Sequence, residues 1–151
     1  MLSSRRLQAF AVAPILLGLT NFAILGYALA TYEPQPADGG TSIFGLFVGI
    51  VAVLAGLVLL EGVVAAGFVR FLDPSVWACR LTAVGLLGTT LAGGSLTIWN
   101  GGAMLELDGT PANIGVVLFG VVVGGIVLIA AILTEILVRL QRTDGDGIAT
   151  T

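Results

Sequence analysis

The sequence predicts an all-α fold: an integral membrane bundle of four transmembrane helices, formed by a single domain over residues 1–142. Three observations support this prediction. The chain is 57% hydrophobic and 10% charged, whereas a soluble domain has about 25% charged residues. Four long apolar stretches alternate with short segments rich in Gly, Pro, Asp and Thr. All six basic residues are arginines, and they flank these stretches at one end of the predicted bundle.

The second stretch, residues 43–72, is the clearest of the four predicted spans. Before Arg70 it contains a single charged residue, Glu61, and it is longer than the run of about 20 apolar residues that crosses a bilayer. The turn Asp73-Pro74-Ser75 follows it. Because so short a turn brings consecutive helices side by side, we expect helices 2 and 3 to form an antiparallel hairpin.

The third helix is predicted over residues 77–99, and Asn100-Gly101-Gly102 is predicted to end it, because glycine is favoured just beyond a helix C-terminus. The fourth helix is predicted over residues 113–142. The remaining residues, 143–151, are mostly polar or small and predict a disordered cytoplasmic tail.

The first stretch, residues 7–31, allows two interpretations. Arg5 and Arg6 before it, with Ala28-Leu29-Ala30 near its end, resemble a twin-arginine signal and its cleavage site. The apolar run is longer than the core of about 7–15 residues in a signal peptide, which favours a retained first helix. Pro14 is compatible with that helix, since membrane helices tolerate proline where neighbouring groups satisfy the freed carbonyl.

The arginines predict the orientation of the bundle. In a four-span topology they all fall at one end: before helix 1, beside the turn between helices 2 and 3, and at the close of helix 4. The two loops at the other end, residues 32–42 and 103–112, carry acids and no arginine. The positive-inside rule then places both termini in the cytoplasm. We expect the membrane concerned to be the cell membrane. The residues concerned are Arg5, Arg6, Arg70, Arg80, Arg139 and Arg142.

The missing residue types exclude several classes of function. With no His and no Lys, the chain cannot form a His-ligated zinc site, a Walker A phosphate loop or a Schiff base. We expect no metal, no cofactor and no nucleic-acid partner. Cys79 is the single cysteine, so no internal disulfide is possible. No catalytic motif is recognisable, which leans against an enzyme without excluding one. The acidic, lysine-free composition is typical of halophilic prokaryotes.

Small residues predict the helix-packing faces, because lipid supplies no hydrophobic drive and close backbone approach must hold the helices together. They recur at four-residue spacing on three helices. The faces consist of Gly85, Thr89, Gly93 and Thr97 on helix 3, Gly45 and Gly49 on helix 2, and Gly120 and Gly124 on helix 4. Tight packing within one bundle is the favoured interpretation, and a dimer interface or a substrate path is the alternative.

Glu61 is the strongest candidate for chemistry, because an acid inside a membrane helix is costly and often marks a proton or ion path. Glu61 lies nine residues before Arg70, and Thr89 lies nine residues after Arg80, so the hairpin places both at one depth. We predict that the carboxyl points towards helix 3 and meets the hydroxyl of Thr89 or Thr90, forming a proton or ion site. The alternative is that helix 2 emerges from the bilayer and leaves Glu61 among the lipid head groups.

Two further polar pairs are interpreted as structural. Asn21 is predicted to lie in a layer of small side chains, with Ser95 as its hydrogen-bond partner. Glu135 precedes Arg139 by four residues, which is the favourable orientation for a helical ion pair and predicts a salt bridge near the membrane interface.

Two functions are compatible with these patterns. The favoured one is a non-catalytic subunit or scaffold of a membrane complex, which acts in the lipid bilayer through helix contacts with other subunits or with a second copy of itself. The alternative is a small proton- or cation-coupled transporter or channel that uses Glu61. Replacing Glu61 by Gln separates the two, since a scaffold tolerates this change and a proton path does not.

Overall fold

The computed structural model describes residues 4–32, 40–104 and 114–146. These residues form four helices: α1 (Ser4–Thr31), α2 (Gly40–Leu72), α3 (Val76–Met104) and α4 (Ile114–Asp146). Within the described part of the chain, all four helices are long and apolar enough to cross a membrane. The prediction of an all-helical chain with four such helices is therefore confirmed.

Helices that are consecutive in the sequence run in opposite directions. Gly18 of α1 lies against Leu59 of α2. Pro14, one turn earlier on α1, lies against Gly62, one turn later on α2. The same reversal relates α3 to α4, and the three-residue gap between α2 and α3 reverses the chain there as well. The arginines therefore lie together at one end of the bundle, called here the arginine end, and the other end is called the opposite end.

The four helices form a rhombus in cross-section. α2 and α3 touch across its short diagonal, and both of them contact α1 and α4. Within the described residues, α1 and α4 make no contact with each other. Only α2 and α3 therefore have neighbours on three sides, and polar groups on these two helices can be enclosed by the bundle.

Apolar side chains cover the outside of the bundle as well as its inside. Large exposed side chains occur along every helix, including Leu16, Val53, Leu91 and Ile126. The interior contains smaller buried residues, such as Ala92 in the middle of the bundle. A continuous apolar exterior of this extent suits contact with lipid, because soluble monomers expose only small apolar patches.

α1 and α2 each begin three residues before the predicted start, at Ser4 and Gly40, and the C-terminal ends of α3 and α4 lie beyond the predicted ones. α3 does not end at Trp99 but continues through Asn100-Gly101-Gly102 to Met104. Asn100 is fully buried and donates hydrogen bonds to Asn21 of α1, so tertiary contacts hold the last turn in place. α4 continues to Asp146, four residues into the predicted tail, and residues 147–151 lie outside the described residues.

The predicted glycine faces separate into packed and open ones. A Cβ atom at Gly85 would lie 3.1 Å from the main-chain oxygen of Gly124, and one at Gly120 would lie 2.9 Å from that of Gly88. α3 and α4 therefore approach backbone to backbone. The prediction is wrong for Gly45 and Gly49. No described residue of another helix comes within 4 Å of a Cβ built on either, so they do not form a packing face within the described bundle.

Candidate functional site

The carboxyl of Glu61 lies where α2, α3 and α4 meet. The Thr89 hydroxyl of α3 is hydrogen-bonded to Glu61 Oε2, as the hairpin geometry predicts. The same hydroxyl oxygen lies 3.0 Å from the main-chain oxygen of Gly85. Thr89 is fully buried and Glu61 is half-buried. The carboxyl therefore points into the bundle, towards α3 and α4.

Two glycines of α4 leave room for this carboxyl. A Cβ atom at Gly124 would lie 2.9 Å from Glu61 Oε2, and one at Gly125 would lie 3.0 Å from Oε1. Any larger residue at either position would press on the carboxyl group. Gly125 was not singled out from the sequence, where the signal was a pair of adjacent glycines in the middle of an apolar helix.

The neighbouring hydroxyl, Thr90, does not take part. Its Oγ1 donates to the main-chain oxygen of Leu86 at 2.7 Å, one turn back on its own helix. Because successive helical residues are about 100° apart, only one of the two threonines can face α2. The structure places Thr89 there, and Thr90 is not part of the site.

No described cation neutralises Glu61. Among the described residues the one ion pair joins Glu135 to Arg139, and it lies at the arginine end. The polar contact of the Glu61 carboxyl is instead a neutral hydroxyl. Such a group can exchange a proton without first breaking a salt bridge.

A second polar cluster lies between α1 and α3, nearer the opposite end. The side-chain NH₂ of Asn21 donates to Thr97 Oγ1 at 2.9 Å and to the main-chain oxygen of Leu17 at 2.8 Å. Asn21 is fully buried. Its partner is a correction, because Thr97 and not Ser95 binds it: two residues along a helix are about 200° apart around the axis, so Ser95 faces another direction.

Asn100 completes this cluster, although the sequence indicated only a helix end there. Its NH₂ group donates to the main-chain oxygen and to Oδ1 of Asn21, both at 3.3 Å. Asn100 is fully buried, and its own Oδ1 accepts no hydrogen bond from any described residue.

An apolar layer separates the two polar clusters. It lies at Gly93, which is midway between Thr89 and Thr97 on the same face of α3. A Cβ atom at Gly93 would lie 3.0 Å from Val58 Cγ1 and 3.1 Å from Leu17 Cβ. Side chains of α1 and α2 thus close tightly over α3 at this level.

The predicted salt bridge lies at the arginine end and has an additional role. Glu135 Oε1 accepts from Arg139 Nε at 2.9 Å, and Oε2 accepts from the main-chain N–H of Ser75 at 2.7 Å. Arg139 also donates to the main-chain oxygen of Leu72. The pair therefore binds α4 to both sides of the turn between α2 and α3. The four-residue spacing of Glu135 and Arg139 along α4 could not indicate this contact with another element.

Comparisons with protein-family models, with curated proteins and with solved structures find no match to this chain. Any functional conclusion therefore has to come from the chemistry of the two polar clusters and from the surface of the bundle.

Proposed function

We propose that this protein is a multi-pass cell-membrane protein that moves protons across the bilayer as a small transporter or channel, with Glu61 as its proton-binding group. The observation that supports this most directly is the position of the Thr89 hydroxyl. It lies within hydrogen-bond distance of both Glu61 Oε2 and the main-chain oxygen of Gly85.

A hydroxyl has one hydrogen to donate and can accept two hydrogen bonds, so Thr89 can serve both states of the carboxyl. When Glu61 is ionised, Thr89 donates to it. When Glu61 is protonated, its O–H donates to Thr89 Oγ1, and the Thr89 hydrogen turns to Gly85. The site thus keeps a hydrogen bond to the carboxyl in either state and needs no rearrangement of the helices.

The surroundings favour a proton over a metal cation. Metal ions such as Ca²⁺ and Mg²⁺ take about six to eight oxygen ligands. Among the described side chains, Thr89 supplies the one oxygen that is hydrogen-bonded to Glu61. A proton needs no such coordination shell.

Measurement of proton flux in liposomes tests this proposal. The purified protein is reconstituted with a pH-sensitive dye inside the vesicles, and an imposed potential drives protons inwards. We expect Glu61→Gln to lower the flux by about 100-fold or more, as loss of a proton-transferring group does. If the Glu61→Gln variant conducts protons as fast as the unaltered protein, the proposal is refuted.

The Thr89 hydroxyl has its own test, with a matched control one residue away. Thr89→Val keeps the shape but removes the hydrogen bond, which is worth about 0.6–1.7 kcal/mol in a membrane. We expect the flux to fall about threefold to twentyfold by that measure. Thr89→Ser should restore it, and Thr90→Val should leave it unchanged. If Thr89→Val and Thr90→Val change the proton flux equally, the Thr89 hydroxyl has no specific role in the site.

A membrane subunit that acts through helix contacts is the second candidate, and one surface feature favours it. An open apolar groove of about 590 Å³ runs between α2 and α4 towards the opposite end. The open glycines Gly45 and Gly49 lie in it, and small residues of this kind let a further transmembrane helix approach closely. The other lining residues are Leu46, Ile50, Val53, Leu54, Ile114 and Leu118.

Oligomeric state and co-purification test this second candidate. Gly49→Leu fills the groove and should release any partner helix, which size-exclusion chromatography with light scattering would detect as a loss of mass. Gly67→Leu is the matched control, because Gly67 is also on α2 and also open but does not line the groove. An unchanged mass in the Gly49→Leu variant would count against a helix partner at this surface.

A further inference from the structure

We propose that the cluster of Asn21, Thr97 and Asn100 binds water and forms the entrance by which protons reach Glu61 from the opposite end of the bundle. This inference rests on the proposed function, since it names the access route to the same carboxyl. It also assigns a role to the apolar layer of Leu17 and Val58, which closes the route when the bundle is in the conformation described here.

Every side-chain donor group of the cluster already has an acceptor. The Asn21 NH₂ donates to Leu17 and Thr97, and the Asn100 NH₂ donates to two oxygens of Asn21. The Thr97 hydroxyl donates to the main-chain oxygen of Gly93 at 2.8 Å. Every side-chain donor is therefore committed within the cluster.

One acceptor of the cluster has no donor among the described residues. Asn100 Oδ1 is fully buried and accepts from no described residue. Buried acceptors are almost always hydrogen-bonded to protein or to ordered water, and leaving one unpaired costs about 1–3 kcal/mol. Since the cluster has no donor to spare, the partner has to bring its own hydrogen. Water is the smallest molecule that does so.

The cluster lies on the same face of α3 as Thr89, the partner of Glu61. Thr97 and Thr89 are eight residues apart on one face of α3, about 12 Å along the helix axis. Leu17 and Val58 close on Gly93 between them. Water at Asn100 therefore cannot pass to Glu61 until these two side chains move away from α3, so the structure combines an entrance, a gate and a proton-binding group along a single helix face.

The flux assay tests the route with two variants that should act in opposite directions. Asn100→Leu removes the acceptor, and we expect the proton flux to fall about tenfold, the equivalent of one hydrogen bond. Val58→Ala thins the gate, and we expect the flux to rise. Elution volume and helical circular dichroism show whether Asn100→Leu folds. If it does not, Val58→Ala still tests the route. An unchanged or lower flux in the Val58→Ala variant would show that Leu17 and Val58 do not form a gate.

A labelling assay separates this inference from the proposed function. In a Cys79→Ser background, a Thr97→Cys variant should react with a small water-soluble thiosulfonate, whereas a Leu17→Cys variant should react far more slowly. If Glu61→Gln stops the flux but Thr97→Cys stays unreactive, the water route is wrong and the proposed function stands. If Thr97→Cys reacts but Glu61→Gln does not alter the flux, the proposed function is wrong, and the cluster is hydrated without being a proton entrance.

Discussion

At the scale of single residues, the site at Glu61 depends on the absence of side chains as much as on their presence. Gly124 and Gly125 of α4 face the carboxyl, and a Cβ atom at Gly124 would also collide with the Thr89 hydroxyl. Close packing of this kind leaves no slack, because overpacking a filled interior forces side chains from their preferred rotamers.

Gly124→Ala should therefore disturb both the stability and the site. We expect a loss of about 1–3 kcal/mol in the free energy of unfolding, measured by denaturation in mixed detergent micelles, together with a lower proton flux. Gly26→Ala is the control, because nothing lies within 4 Å of a Cβ at Gly26. If the Gly124→Ala variant is as stable and as active as the unaltered protein, α4 does not pack as closely against Glu61 as the structure shows.

At the scale of the helices, the turn between α2 and α3 is fixed by a residue from α4. Asp73 adopts a positive φ of 41°, which is uncommon for a residue other than glycine. Ser75 caps the N-terminus of α3: its Oγ accepts from the main-chain N–H of Ala78 at 3.5 Å, and its main-chain oxygen accepts from that of Cys79 at 2.9 Å. The Ser75 N–H in turn donates to Glu135. The hairpin of α2 and α3, which brings Thr89 to Glu61, is thus stabilised by a contact with α4.

Glu135→Ala should loosen this hairpin. A hydrogen bond to a charged group contributes about 1.5–3 kcal/mol, so we expect the free energy of unfolding to fall by an amount in that range. Most of the loss comes from Ser75, since Arg139 is half exposed and exposed ion pairs contribute little. Arg142→Ala, an exposed change on the same helix, is the control. Equal stability of the two variants would show that the turn does not depend on α4.

At the scale of the whole molecule, the bundle has two chemically different ends. The arginine end contains the cationic side chains and the contacts of Glu135 with Arg139 and Ser75. Asn100 lies near the opposite end. The positive-inside rule predicts that the arginine end faces the cytoplasm. The proposed proton entrance would then open to the outside of the cell.

Cysteine labelling in whole cells checks this orientation. In a Cys79→Ser background, Asp38→Cys and Asp108→Cys, in the two Arg-free loops, should react with an impermeant maleimide added from outside. Thr143→Cys should react only after lysis. The reverse pattern would invert the topology. Mass spectrometry of the mature protein should also find Met1–Ala30, and their loss would support the signal-peptide interpretation of the first stretch.

The candidate site was partly predictable from the sequence because depth in a helix follows from counting residues. The count placed Glu61 level with Thr89, and it paired Glu135 with Arg139 through their four-residue spacing. The same count could not choose between Thr89 and Thr90, or direct Asn21 to Thr97 in place of Ser95. Those choices depend on the rotation of each helix about its own axis, which a long apolar sequence barely constrains.

The sequence by itself determined the four long apolar helices, the grouping of the arginines at one end of the bundle and the level of Glu61, because hydropathy, charge and helical rise are local properties of the chain. The tertiary structure alone decided which faces meet: that α1 and α4 stay apart, that Gly45 and Gly49 remain open while Gly124 and Gly125 enclose a carboxyl, and that α3 continues to Met104. In an all-apolar bundle nearly every face is compatible with burial. Shape complementarity among all four helices, together with a few buried hydrogen bonds, therefore selects the arrangement.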